Sequence, residues 1–249
     1  MRPTQIRLAK RPEGEPGDEA FAVTHDGWQT HAVSDGRALR RLDPSSAPVS
    51  TALGVLGMPG FTAYAGLLEI GRPRAGETVV VAAATGPVGS AVGQIARITG
   101  ARAVGIAGGP EKCRALSEDF GFDAAVDHRS ETFAGDLAAA VPDGVDVYFE
   151  NVGGEVAREV FRHLNLYGFM GLVLRRSLTV RGFIQGEFTA SHGADFERDM
   201  SAWVADGSVR YREDVVEGLE NAPEAFRGLL AGRNFGKLLV RVGDDPTLP

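Results

Sequence analysis

At 249 residues the chain can form one large domain or two smaller ones, and its net charge of −7 argues against general nucleic-acid affinity. Its single cysteine, Cys113, excludes an intrachain disulfide and a cysteine zinc cluster. No run approaches the roughly 18 apolar residues of a membrane span, and the N-terminus lacks the apolar core of a signal peptide. A soluble, cytoplasmic protein with neither a membrane nor a nucleic-acid partner is expected.

Residues 4–9 alternate as a strand would, and a Pro/Gly/Glu connector follows at 11–18. Short strand candidates lie at 27–34 and 39–42, the latter closed by Asp43-Pro44. Residues 47–68 are helical in composition, interrupted by Pro48, Gly57 and Pro59-Gly60. The apolar, β-branched run at 78–83 reads as a strand buried on both faces. A turn at 84–89, a helix at 90–99 and a second apolar run at 103–107 complete a β-α-β unit. Helices are then predicted at 110–120, 132–141, 156–164, 188–205 and 222–231, the last with Pro223 early, where proline is tolerated. Strands are predicted at 124–126, 145–149, 178–184, 214–216 and 237–242, before a loose tail at 243–249. No internal repeat is present. The alternation implies an α/β, Rossmann-like doubly wound parallel sheet, with a smaller β-rich unit built from both chain ends.

The β-α-β turn carries the first chemical signal. A helix N-terminus offers unsatisfied N–H groups and a partial positive charge, and glycine lets the backbone approach a pyrophosphate. Gly86 and Gly89 hold the second and third places of G-x-G-x-x-G, with Ala84 in the first. The end of the second strand bears on the choice of cofactor. An Asp or Glu there would hold a ribose 2′-hydroxyl, but this chain has Gly108-Gly109-Pro110, followed by Lys112 and Arg114. That favours NADP(H) over NAD(H). Gly86, Gly108, His128 and Asn151 each follow a predicted strand, and should line one edge of the sheet.

Five stretches carry a family resemblance: 54–64 (GVLGMPGFTAY), 83–96 (AATGPVGSAVGQIA), 104–113 (VGIAGGPEKC), 146–155 (DVYFENVGGE) and 212–240. They resemble the zinc-independent medium-chain dehydrogenase/reductases, in particular the NADP(H)-dependent enone reductases of the leukotriene B4 dehydrogenase/prostaglandin reductase and curcumin reductase type. The resemblance implies a GroES-like substrate domain at 1–54 and 211–249 around a dinucleotide domain at 55–210. It implies that Gly86, Pro87, Val88 and Gly89 meet the pyrophosphate and that Lys112 meets the 2′-phosphate. His128 stands where relatives usually carry a cofactor-contacting tyrosine, and Arg129 replaces a usual lysine. Asn151 matches a cofactor contact, Phe183, Ile184 and Gln185 match a segment near the nicotinamide, and Asn234 matches a residue reaching the cofactor from the C-terminal region. Relatives are often homodimers.

The implied reaction is hydride transfer from NADPH to the β-carbon of an α,β-unsaturated ketone or aldehyde, with an enolate developing on oxygen. Tyr64 is the first candidate to hydrogen-bond that oxygen; its other reading is a packed helix tyrosine with its hydroxyl satisfied elsewhere. No metal is implied, and His25, His31, His128, His163 and His192 are scattered. Relatives have further strands where Ala22 follows Phe21, and a core strand and loop where Gly168 follows Tyr167. The chain is therefore expected to be shortened in two places. Two alternatives stay open: a quinone oxidoreductase of the same fold, and a non-catalytic NADP(H)-binding protein.

Overall fold

The computed structural model describes residues 5–6, 28–30, 42, 47–165 and 179–243, the first pair by backbone only. The connector at 11–18, the Phe21/Ala22 and Tyr167/Gly168 junctions, His25, His31 and the tail beyond Gly243 lie outside the described residues. So do most of the strands expected at 4–9, 27–34 and 39–42. In chain order the elements are β1 (Gln5–Ile6), β2 (Trp28–Gln29), α1 (Met58–Ala65), β3 (Thr78–Val81), α2 (Gly89–Ile98), β4 (Arg102–Ala107), α3 (Pro110–Glu118) and β5 (Ala124–Asp127). There follow α4 (Phe133–Ala140), β6 (Val147–Phe149), α5 (Gly154–His163), α6 (Thr189–Ala205), β7 (Glu213–Glu217), α7 (Ala222–Leu230) and β8 (Lys237–Arg241). The chain divides into two compact units, Ser50–Arg212 and Met1–Val49 with Glu213–Pro249.

In the larger unit four strands form a parallel sheet in the order β5-β4-β3-β6. Val81 lies opposite both Gly105 and Phe149, and Ala107 lies opposite Asp127. All four residues of β3 are buried, as expected for a central strand covered on both faces. Val80, Ile106 and Val126 share one core cluster with Leu137 of α4, Val141 at its C-terminal end and Val160 of α5. Gly105 faces the other way, toward Leu116 of α3 and the Phe122 ring. Helices therefore cover both faces, and each fully buried aliphatic side chain contributes roughly 1.5–3 kcal/mol. α1 continues into a π-helical turn, Gly66–Gly71, which resolves the helical composition of 47–68 into separate short pieces.

Two predicted strands differ from what forms. The ladder of β6 begins at Val147, whereas Val145 faces away and bridges Leu164 in parallel, its N–H donating to His163 O at 2.9 Å. The chain leaving α5 thus lies beside β6 on the edge away from β3. Residues 179–184 form no strand, and Val180 and Ile184 are 71 % and 80 % exposed. Their alternation is strand-like, but a strand exists only through a hydrogen-bonded partner, and among the described residues none pairs with them.

In the smaller unit β1 pairs antiparallel with β2, Ile6 opposite Trp28. The Trp28 ring meets Phe226 of α7 edge-on at 5.6 Å. β7 and β8 run parallel, from Glu213 opposite Lys237 to Glu217 opposite Arg241, with α7 as their crossover.

Candidate functional site

The carboxyl ends of β3, β4, β5 and β6 lie side by side, so the residues that follow them share one edge. The turn after β3 is held from both neighbours. The Ala82 N–H donates to Phe149 O at 3.1 Å, and the Ala84 N–H donates to Ile106 O at 3.0 Å. Asn151 adds a third tie, its Nδ2 donating to Ala82 O at 3.0 Å. The turn is tight enough to hold Ala83 at φ +49°, a region L-residues avoid at a cost of roughly 1–2 kcal/mol. The Gly86 N–H closes it onto Ala83 O at 2.9 Å. α2 starts at Gly89, and its Ser90 N–H donates back to Gly86 O at 2.9 Å.

The two motif glycines differ. A Cβ on Gly89 would lie 2.5 Å from Ala83 O and 2.8 Å from Ala84 Cα, both backbone atoms. Gly89 therefore serves the close approach of helix and strand. A Cβ on Gly86 would meet only Ala83 O, at 3.2 Å, which leaves its face open.

Gly108 and Gly109 follow β4, the latter at φ +97°, and Pro110 starts α3. A side chain at residue 108 would begin 2.8 Å from Arg129 Nε and 2.9 Å from His128 Nε2. An imidazole and a guanidinium thus stand over the strand end where an NAD-type site keeps a carboxylate. Lys112 is half-buried in the first turn of α3. Asp127 turns its carboxylate to the backbone, Oδ1 accepting the Gly109 N–H at 2.8 Å and the Arg129 N–H at 2.9 Å. Burial alone would push this carboxyl up. The two N–H bonds, with His128 and Arg129 beside it, outweigh burial and hold it below its ordinary range. Cys113 shows the reverse: burial, with Asp127 nearby, pushes its thiol up.

Phe183 packs edge-on against Phe149 at 6.4 Å and against Phe188 at 6.1 Å. A Cβ on Gly66 would run into the Phe183 and Phe149 rings. The ring of Phe183 thus anchors the segment and leaves Ile184 exposed, while Gln185 opens a 3-10 turn, Gln185–Phe188. Asn234 belongs to the smaller unit, where its Nδ2 donates to Gly236 O at 3.0 Å.

Tyr64 is 6 % exposed, packed between α1 and α6 against Phe196 and Trp203. Its hydroxyl donates to Asp199 Oδ2 at 2.7 Å. Burial, then the Asp199 carboxylate, push the phenol well above its ordinary range. In this arrangement the hydroxyl is satisfied by a carboxylate. Sequence reasoning missed Asp127. The only local signal was Asp-His-Arg ending one strand, and its target, Gly109, is 18 residues away.

Gly86 to Gly89, Gly108, His128, Arg129, Lys112 and Asn151 fit a dinucleotide bearing a 2′-phosphate: an open glycine turn at a helix start, and basic side chains over a strand end that supplies no carboxylate of its own. Among the described residues no group of three or more His, Cys, Asp or Glu is placed to hold a metal ion.

Residues 87–203 match the family described as zinc-binding dehydrogenase. The NADPH-dependent curcumin reductase of Escherichia coli (strain K12) is 44% identical over 268 residues, covering 97% of this chain and 77% of the relative. That alignment is longer than the 249-residue chain, so the relative carries internal residues that this chain lacks. Prostaglandin reductase 1 of Oryctolagus cuniculus is 40% identical over 242 residues, 87% of this chain and 69% of the relative. The crystal structure of CurA in complex with NADPH from Vibrio vulnificus superposes with a TM-score of 0.83 at 45% identity, covering 88% of this chain and 72% of that one. With the parallel sheet, the glycine turn and the basic strand end already in place, these likenesses mean that the chain belongs to the medium-chain dehydrogenase/reductase family, alongside the curcumin and prostaglandin reductases.

Proposed function

We propose that the chain reduces the C=C bond of α,β-unsaturated ketones or aldehydes at the expense of NADPH. The observation that carries the cofactor half of this reading is the pair His128 and Arg129 standing over Gly108, at the end of a strand that supplies no carboxylate of its own. The substrate half rests on the family, whose members in this comparison are curcumin and prostaglandin reductases. When bound, the cofactor supplies a hydride for the β-carbon of the enone. The chain's own residues bind and orient. Gly86, Pro87, Val88 and Gly89 present backbone to the pyrophosphate, and Lys112 and His128 meet the 2′-phosphate. Asn151 steadies the turn, and Phe183, Ile184 and Gln185 form a wall near the nicotinamide.

We assign Tyr64 to packing on the strength of its bond to Asp199, which leaves the hydrogen bond to the enolate oxygen to another donor. We read the larger unit as the dinucleotide domain, the chain ends as a reduced GroES-like substrate domain, and the protein as a zinc-independent, cytoplasmic reductase. Small-molecule enones are its partners, and homodimerisation follows the habit of its relatives.

The test is a panel of 2-alkenals, curcumin-like diketones and quinones, followed at the NADPH absorbance band with NADH in parallel. Enone turnover with NADPH is expected. Turnover of quinones alone would assign the quinone oxidoreductase activity instead. NADPH binding without turnover of either class would make the chain a binding protein.

A further inference from the structure

We propose that Arg129 is a further specificity-determining residue, reading the 2′-phosphate, and that Asp127 is the positioning residue that holds it over Gly108. The proposal rests on the NADP(H) reading above and deepens it. β4 and β5 end in register, Ala107 opposite Asp127, so the two chains leave the sheet side by side. Three bonds then stitch these exits together. The His128 N–H donates to Ala107 O at 3.0 Å, and Asp127 Oδ1 accepts the N–H groups of Gly109 and Arg129. The bond to Gly109 crosses from one strand end to the other. The bond to Arg129 turns the chain back on itself two residues later.

The outcome is a guanidinium folded over the strand end, Arg129 Nε and Cζ lying 2.8 and 3.1 Å from where a Cβ of residue 108 would stand. A phosphate arriving at Gly108 meets the planar fork of an arginine, which suits bidentate binding of phosphate oxygens. A free 2′-hydroxyl offers that fork no negative charge. The neighbouring carboxylate oxygen is occupied by two N–H donors, which blunts its repulsion of the phosphate. The glycine turn after β3 meets a pyrophosphate that both cofactors share, so selectivity has to reside at this second strand end.

The experiment titrates 2′,5′-ADP and 5′-AMP into the full chain by calorimetry, because these probes differ only in the 2′-phosphate and need no turnover. Arg129→Gln is expected to weaken 2′,5′-ADP by roughly ten- to a hundredfold, the scale of one charge-assisted contact, and to leave 5′-AMP unchanged. Asp127→Ala should cause a similar selective loss, with little further loss when Arg129→Gln is already present. Asp127→Asn, whose amide oxygen still accepts both N–H groups, should restore binding. Gly108→Ala displaces the same two side chains without touching the carboxylate, and should reproduce the loss if Asp127→Ala fails to fold. An Arg129→Gln chain that keeps the parent's preference for 2′,5′-ADP would overturn the assignment of Arg129 while leaving the NADP(H) reading intact. An Asp127→Ala chain that weakens both probes equally would reduce Asp127 to a general structural part. A parent that binds the two probes alike would overturn this proposal together with the NADP(H) reading.

Discussion

Gly89 and Gly108 both lie at the carboxyl edge of the parallel sheet, yet they are crowded by different kinds of atom. Around Gly89 the neighbours are backbone, Ala83 O and Ala84 Cα. Around Gly108 they are the far ends of flexible side chains, Arg129 and His128. Backbone in a buried, close-packed turn cannot move aside, whereas an exposed arginine can swing away at little cost. Gly89 is therefore a condition of the fold at this turn, and Gly108, on the reading proposed above, is a condition of selectivity. The same residue type serves two different ends because of what surrounds it.

The sharpest way to break this comparison is Gly89→Val. Overpacking against fixed backbone should destabilise the chain by about 3 kcal/mol and abolish NADPH binding, read by denaturant unfolding and calorimetry. A folded Gly89→Val chain that binds NADPH normally would mean that the pyrophosphate lies elsewhere.

Lys112→Ala probes the selective side of the comparison from α3. It should cost NADPH about 1.5–3 kcal/mol of binding while sparing NADH, as expected for the loss of one charge-assisted contact. Equal loss for both cofactors would remove Lys112 from 2′-phosphate recognition.

Gly108→Ala sharpens the contrast directly. We expect a midpoint of thermal unfolding close to that of the parent, with NADPH affinity lowered by about tenfold and NADH affinity nearly unchanged. A large loss of stability instead would mean that Gly108, like Gly89, is held by the fold.

The smallest effect on cofactor binding is expected at Tyr64, far from either glycine in role. Tyr64→Phe keeps the ring between Phe196 and Trp203 and removes only the bond to Asp199. It should lower stability by about 1.5 kcal/mol and leave enone turnover unaltered. A marked fall in turnover at full stability would return the tyrosine to the chemistry.

Much of the larger unit could be read from local pattern. The run at 78–83 is continuous and β-branched, and it forms β3 with every residue buried. Gly-Gly-Pro after the next apolar run marked both a strand end and a helix start, and both are present as β4 and α3. Local pattern misled at 179–184, where alternation suggested a strand but no described residue pairs with it. It was also silent on Asp127, whose Oδ1 joins two turns from adjacent strands.

The sequence by itself determined the run of strands and helices from β3 to α5, the glycine turn and the lack of a carboxylate at Gly108, Gly109 and Pro110, which follow β4. These are set by periodicity, turn residues and charge within a few neighbours along the chain. Only the tertiary structure decided that the Tyr64 proton goes to Asp199, 135 residues away, and that Arg129 folds over Gly108. Both depend on which strand ends and helix faces are brought side by side. Hydrogen bonds and close contacts act over about 3 Å of space, whatever the distance along the chain.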